Sequence, residues 1–155
     1  MGDNTICFAV GTRIRDDGSI NDWATVEWDR ERGEPVAKII GMSVLRGDGS
    51  EQREHFLVLL LNARHEVLGK ETVSVGSLNA SIVHPREVFK PAVLASAASI
   101  VLVHNHPSGD PEPSEEDITI SKRLVQAGEL IGIGVLDHVI VASRGVVSLR
   151  SRQLL

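Results

Sequence analysis

The chain has 155 residues, 42% of them hydrophobic and 24% charged, with a formal net charge of -5; this length suits one domain able to bury its own core. The longest apolar runs are too short for a bilayer-spanning helix, so no membrane association is expected. The acidic balance argues against a general attraction to nucleic acid, and with 3% aromatic residues and no Tyr the stacking platforms for single strands are poorly supplied, so protein or peptide substrates rank higher.

The start, MGDNTICFAV, lacks the basic flank and long apolar stretch of a signal peptide, and a cytoplasmic location is expected. The single cysteine, Cys7, has no internal disulfide partner and lies in an apolar stretch, where a thiol acts as a small hydrophobe. Through residue 50, short apolar runs (TICFAV, WATVEW) alternate with turn-rich segments such as Asp16-Asp17-Gly18-Ser19 and Arg46-Gly47-Asp48-Gly49-Ser50, which predicts strands or a hairpin. Phe56 to Leu61 is a sharply bounded apolar run that reads as a buried strand, with Glu54 and His55 at its start. Glu71 to Val75 alternates like a second strand ended by Gly76. His84-Pro85-Arg86-Glu87 opens a helical segment to about Ala98, within which Pro91 predicts a kink or a late start.

Ile100 to Val103 runs as a buried strand into His104-Asn105-His106 and breaks at Pro107-Ser108-Gly109-Asp110-Pro111. Ser114 is a plausible N-cap, the first turn after it is acidic, and Ile118, Leu124, Val125 and Leu130 continue a helix that Gly132 and Gly134 close. Val135 to Val141 and Val146 to Leu149 read as final strands. Strands alternating with two helices imply an α/β layered fold with a mixed sheet, in one domain: residues 1–50 form a β-rich extension and residues 51–150 the core. Whether the extension pairs with the sheet, covers the site or makes a homodimer contact is left open.

Alternate side chains on a strand face the same way, so His104 and His106 project together while Asn105 points to the other side. After the turn, the helix start can return Asp117 to the same point. Two imidazoles and a carboxylate suit a catalytic zinc ion, which takes three protein ligands and leaves a fourth position to water whose pKa falls to roughly 7. A base is then needed, and Glu54 is the best placed if its strand neighbours the histidine strand.

These residues resemble the JAB/MPN (JAMM-motif) metalloproteases, and within them the RadC-like branch. The family pattern, an upstream Glu and then H-x-H, seven residues, Ser, two residues and Asp, is met by Glu54, His104, His106, Ser114 and Asp117. The RadC-like signature is also present in HNHPSGDPEPSEED (104–117), VHPREVF (83–89) and LDHVIV (136–141), so the resemblance runs from about Glu51 to Leu149. It implies a cytidine-deaminase-like layered fold with zinc bound by His104, His106 and Asp117. It also implies Glu54 as general acid and base, Ser114 stabilising a tetrahedral intermediate, and hydrolysis of an amide or isopeptide bond, in some relatives beside a ubiquitin-like tail. Glu51 competes with Glu54 for the base; Glu54 is preferred because the family pairs its Glu with a Phe two positions later, here Phe56. Many RadC-like proteins carry an N-terminal helix-hairpin-helix module, and nothing in residues 1–50 looks like one.

A chance match to the H-x-H-x7-S-x2-D pattern in a chain with these counts has odds on the order of one in a thousand. The stronger competitor is local, because Ser114 and Asp117 at N-cap and N3 also fit a capping box that needs no metal. Asp137 and His138 are read equally well as a pair that orients a ligand histidine or as a turn. Two other functions stay in view: a catalytically silent zinc-containing binding module, and a DNA-repair-associated factor.

Overall fold

The computed structural model describes residues 53–76, 83–142 and 144–155, together with the backbone of five short strands nearer the start of the chain. Those strands are β1 (Thr5–Val10), β2 (Arg13–Ile14), β3 (Ile20–Asn21), β4 (Ala24–Asp29) and β5 (Glu34–Ala37). β1, β4 and β5 form an antiparallel sheet in that order, and β2 pairs with β3, so TICFAV and most of WATVEW are strands as expected. The expected turns at 16–19 and 46–50, the Cys7 side chain and Glu51 lie outside the described residues.

The remaining elements are β6 (His55–Leu61), β7 (Val67–Val75), α1 (Pro85–Leu94), β8 (Ser99–His106), α2 (Glu115–Ile131), β9 (Gly134–Ala142) and β10 (Gly145–Ser148). The five strands make one mixed sheet in the order β10-β9-β8-β6-β7. β6 is antiparallel to both neighbours, while β8 and β9 are parallel. A parallel pair needs a crossover connection, and α2 supplies it. This is the mixed α/β architecture the alternation of patterns predicts.

Both faces of the sheet are buried, which explains why β6 and β8 read as continuous aliphatic runs. On one face Phe56, Val58, Leu60, Ile100 and Leu102 pack against Val88, Phe89 and Ala92 of α1 and Ile120 and Leu124 of α2. The other face carries Leu57, Leu59, Leu61, Val101, Val103, Val139 and Val141. Each such side chain contributes about 1.5–3 kcal/mol when fully buried, so the two central strands anchor the whole layer.

Several boundaries differ from the sequence reading. β7 begins at Val67, before Glu71, because its first half is an exposed strand with no buried alternation to reveal it. α1 starts at Pro85 and runs through Pro91, so the late start does not occur. It ends before Ala98 because Ser96 turns left-handed (φ 53), with Ser96 N–H on the Val93 carbonyl (3.1 Å) and Ala97 N–H on that of Ala92 (2.9 Å). Gly132, at φ 80, closes α2, whereas Gly134 is already the first residue of β9.

One irregularity decides which way His138 points. The β8–β9 register runs Ile100 opposite Val135 and then Val101 opposite Asp137, leaving Leu136 as an extra residue in β9. Such a bulge reverses the alternation of side chains beyond it. Val135 packs on the helix side before the bulge. After it, Val139 and Val141 face the other side, and His138, opposite Leu102, comes to the helix side.

Candidate metal centre

His104 and His106 occupy the end of β8, and the Pro107–Pro113 segment then returns the chain to the N-terminus of α2. Ser114 caps that helix. Its hydroxyl accepts from the Asp117 N–H (3.1 Å), while Asp117 Oδ2 accepts from the Ser114 N–H and Oγ–H, each at 2.7 Å. The capping box is therefore real, and it does more than end a helix: it aims the Asp117 carboxylate back at β8. Asp117 Oδ1 lies 3.2 Å from His104 Nε2 and Oδ2 lies 3.3 Å from His106 Nε2. The two Nε2 atoms are 2.9 Å apart. One ligand atom from each of the three residues falls within 4.8 Å of the others, a group that could hold a metal ion.

The donor set fits zinc: two imidazole nitrogens and one carboxylate oxygen converging from one side. His106 is oriented by its other nitrogen, because Nδ1 is 2.8 Å from the Asp110 carbonyl, an acceptor only, so Nδ1 carries the proton and Nε2 points inward.

Burial alone would push the Asp117 carboxyl up, but the imidazoles of His104 and His106 packed against it and the Ser114 hydroxyl hold it well below the usual carboxylate range. The His106 imidazole is raised, first by its hydrogen bond with Asp117, against the opposing effect of burial, then by the Asp110 carbonyl and the charges of Asp117 and Glu54. Burial pushes His138 well down, so it stays neutral.

Glu54 reaches this site from the position just before β6. Phe56 pairs with His104 across the antiparallel β6–β8 ladder, and that register continued two residues outward brings Glu54 opposite His106. Its negative charge is the smallest of the influences that raise His106. The backbone around Glu54 is clamped by Asn105, the residue between the two histidines. Asn105 Oδ1 accepts from the His55 N–H at 2.6 Å, and Asn105 Nδ2 donates to the Arg53 carbonyl at 3.1 Å. Gly76 N–H adds a bond to the Glu54 carbonyl at 2.8 Å. Beneath the histidines, Phe56 stacks on the His104 ring, with centroids 6.0 Å apart and planes 16° apart.

All five residues singled out by the sequence thus gather at one end of β6 and β8 and the start of α2. Other residues there carry roles the sequence reading does not assign, as for Asn105 and Ser121, or leaves open, as for Asp137 and His138. Alternation alone says of Asn105 only that it points away from the histidines. Ser121 sits on the buried stripe of α2 with Asp117, Leu124 and Gly128, and a small polar residue on that stripe is the available signal. Asp137 and His138 are both in β9 and form no turn. Asp137 accepts from the His138 N–H (2.6 Å), the Arg150 N–H (3.0 Å) and the Ser148 hydroxyl (2.5 Å), while the Arg150 guanidinium donates to the carbonyls of Val135 and Leu136. The bulge is pinned on both sides.

A family profile described as the RadC-like JAB domain matches residues 36–154, more than half of the chain. A UPF0758 protein of Desulforamulus reducens is 61% identical over 103 residues, which cover 66% of this chain and 45% of that protein. A UPF0758 protein of Caldanaerobacter subterraneus is 58% identical over 100 residues, 64% of this chain and 43% of its own length. One from Bacillus cereus is 57% identical over 101 residues, covering 65% and 45%. The matched segment spans less than half the length of each of these relatives. With its mixed sheet, two helices and convergent His-His-Asp group, this chain belongs to the RadC-like JAB domain family.

Proposed function

We propose that the chain is a zinc-dependent metallohydrolase of JAMM type that cleaves an amide or isopeptide bond in a protein or peptide. The observation that supports this most strongly is the pairing of two kinds of carboxylate. Asp117 is held by the capping box against two inward-facing Nε2 atoms, while Glu54, just before β6, falls opposite His106 by the β6–β8 register, outside the ligand group. A merely structural zinc site has no use for such a second acid beside its ligands.

In this reading His104, His106 and Asp117 hold the ion, which when bound polarises a carbonyl and makes water nucleophilic near neutral pH. Glu54 takes the proton from the attacking water and returns it to the leaving amine. Asn105 keeps the Glu54 backbone at a fixed height above His106, so that the carboxylate need not search for its position. Ser114, whose side chain is exposed at the mouth of the site, donates to Asp117 and by rotation of its hydroxyl stabilises the developing oxyanion. A protein or peptide is the expected substrate, with a ubiquitin-like tail as one candidate, and nucleic acid is not expected. No helix among the described residues is long and apolar enough to cross a membrane.

The test is a panel of fluorogenic peptides and isopeptide-linked conjugates offered to the zinc-loaded protein. Turnover by the wild type that Glu54→Gln abolishes while zinc remains bound supports the reading. Equal turnover by the two proteins refutes the role of Glu54, and no cleavage of any conjugate by the zinc-loaded wild type refutes the hydrolase.

A further inference from the structure

Behind His104, away from the ligand group, lies a chain of hydrogen bonds that none of the proposed catalytic roles uses. His104 Nδ1 is 2.7 Å from His138 Nε2, His138 Nδ1 is 2.5 Å from Ser121 Oγ, and Ser121 Oγ is 2.5 Å from the backbone carbonyl of Asp117. His104, His138 and Ser121 are all fully buried at 0% exposure, so no water rearranges these bonds.

The direction of every proton in the chain follows from its last member. A carbonyl only accepts, so the single hydroxyl proton of Ser121 is committed to Asp117. Ser121 Oγ must then accept from His138, which places the proton of His138 on Nδ1 and leaves Nε2 bare. His138 Nε2 in turn accepts from His104 Nδ1–H, and the His104 lone pair is left on Nε2, the atom that faces His106 and Asp117. We propose that His138, polarised by Ser121, is a positioning residue that locks His104 in the Nδ1–H tautomer required for metal ligation through Nε2. A ligand histidine commonly has a carboxylate or a carbonyl in this place; here a second imidazole supplies the acceptor.

The fold is built around this arrangement. If Leu136 were paired in regular alternation and not bulged out, His138 would turn to the far face of the sheet. The bulge is held by Asp137 and by Arg150, which satisfy the backbone groups it frees. Because the chain begins at the Asp117 carbonyl, it also ties one ligand residue to another across α2, β9 and β8.

This inference rests on the metal reading for its purpose but not for its first test. In metal-free protein labelled with ¹⁵N-histidine, long-range ¹H–¹⁵N correlation spectra report the tautomer of His138 directly. The expected form is Nδ1–H with Nε2 unprotonated, and Nε2–H on His138 overturns the proposal. The second test is zinc titration against a chromophoric chelator. Ser121→Ala and His138→Leu are expected to weaken zinc about 10- to 100-fold with circular dichroism unchanged, while His138→Gln, whose Oε1 can accept near the Nε2 position, recovers most of the affinity. Wild-type affinity in both Ser121→Ala and His138→Leu, or no recovery in His138→Gln when that variant is folded, overturns it. If the metal reading itself is wrong, the wild-type titration is flat; if only this inference is wrong, the wild type saturates at one equivalent and the variants follow it.

Discussion

Lowering the pH should remove metal from this site in a way fixed by its hydrogen bonds. The Nε2 atoms of His104 and His106 face each other at 2.9 Å, and the Nδ1 atom of each donates elsewhere. Two lone pairs cannot share that gap unaided, so whenever no metal is bound one proton must lie in it, and His106, raised by its hydrogen bond with Asp117, is its natural holder. A metal must displace that proton. Apparent affinity should therefore rise about tenfold per pH unit, about 1.4 kcal/mol, until the pH passes the raised value of His106, and then level off. The same groups set the stability of the metal-free protein. The His106 contribution is complete below the ordinary histidine value of 6.5 and is lost as the pH rises through its raised value; the Asp117 contribution is present above the ordinary 3.8 and is lost as the pH falls. Their joint effect is greatest between those ordinary values. Calorimetric titration with zinc in buffers of different ionisation enthalpy counts the protons released. About one proton per zinc below pH ~6.5, declining at higher pH, is expected; an affinity flat across that range, with no proton release, refutes the arrangement.

Replacing Asn105 by Leu removes both clamps on the Glu54 backbone, and about 1–3 kcal/mol of unfolding free energy should go with them while zinc affinity stays near that of the wild type; chemical denaturation and metal titration check the two halves. Ser114→Ala removes the N-cap of α2 and one hydrogen bond to Asp117, which should cost about 1 kcal/mol in the metal-free protein, measured by urea unfolding. Gly128→Ala should lower the melting temperature, because its new Cβ would lie 2.4 Å from the Ile133 carbonyl oxygen, and this backbone clash outweighs the roughly 1 kcal/mol gained in helix propensity.

The parts of the site that the sequence reveals are those whose geometry is local. His104 and His106 share a face because a strand alternates, and Asp117 is placed by a capping box whose two members are three residues apart. The aliphatic runs of β6 and β8 reveal strands buried on both faces, and the alternation of elements reveals the mixed sheet. Glu54 is different. Its place depends on the pairing of β6 with β8, a contact between segments about fifty residues apart, which the sequence reading could only assume and the family resemblance then supported. For His138 the sequence leaves orienting a ligand histidine and forming a turn evenly balanced, and for a sharper reason. A single extra residue in β9 decides which face His138 takes, and Val135-Leu136-Asp137 carries no glycine or proline to mark a bulge. Ser121 looks like any polar residue of a helix until α2 is packed against β9. The N-terminal half of β7 lacks an alternating pattern for the opposite reason, since its residues are exposed on an edge strand.

The central claim is that His104, His106 and Asp117 form one zinc site, and it is tested most directly by the metal content of purified protein after exhaustive dialysis against zinc-buffered solution. About one zinc per chain in the wild type, falling to a small residue in His104→Ala, His106→Ala and Asp117→Ala while each variant stays folded, is the result predicted. A wild type without zinc, or single variants that hold as much zinc as the wild type, would contradict it.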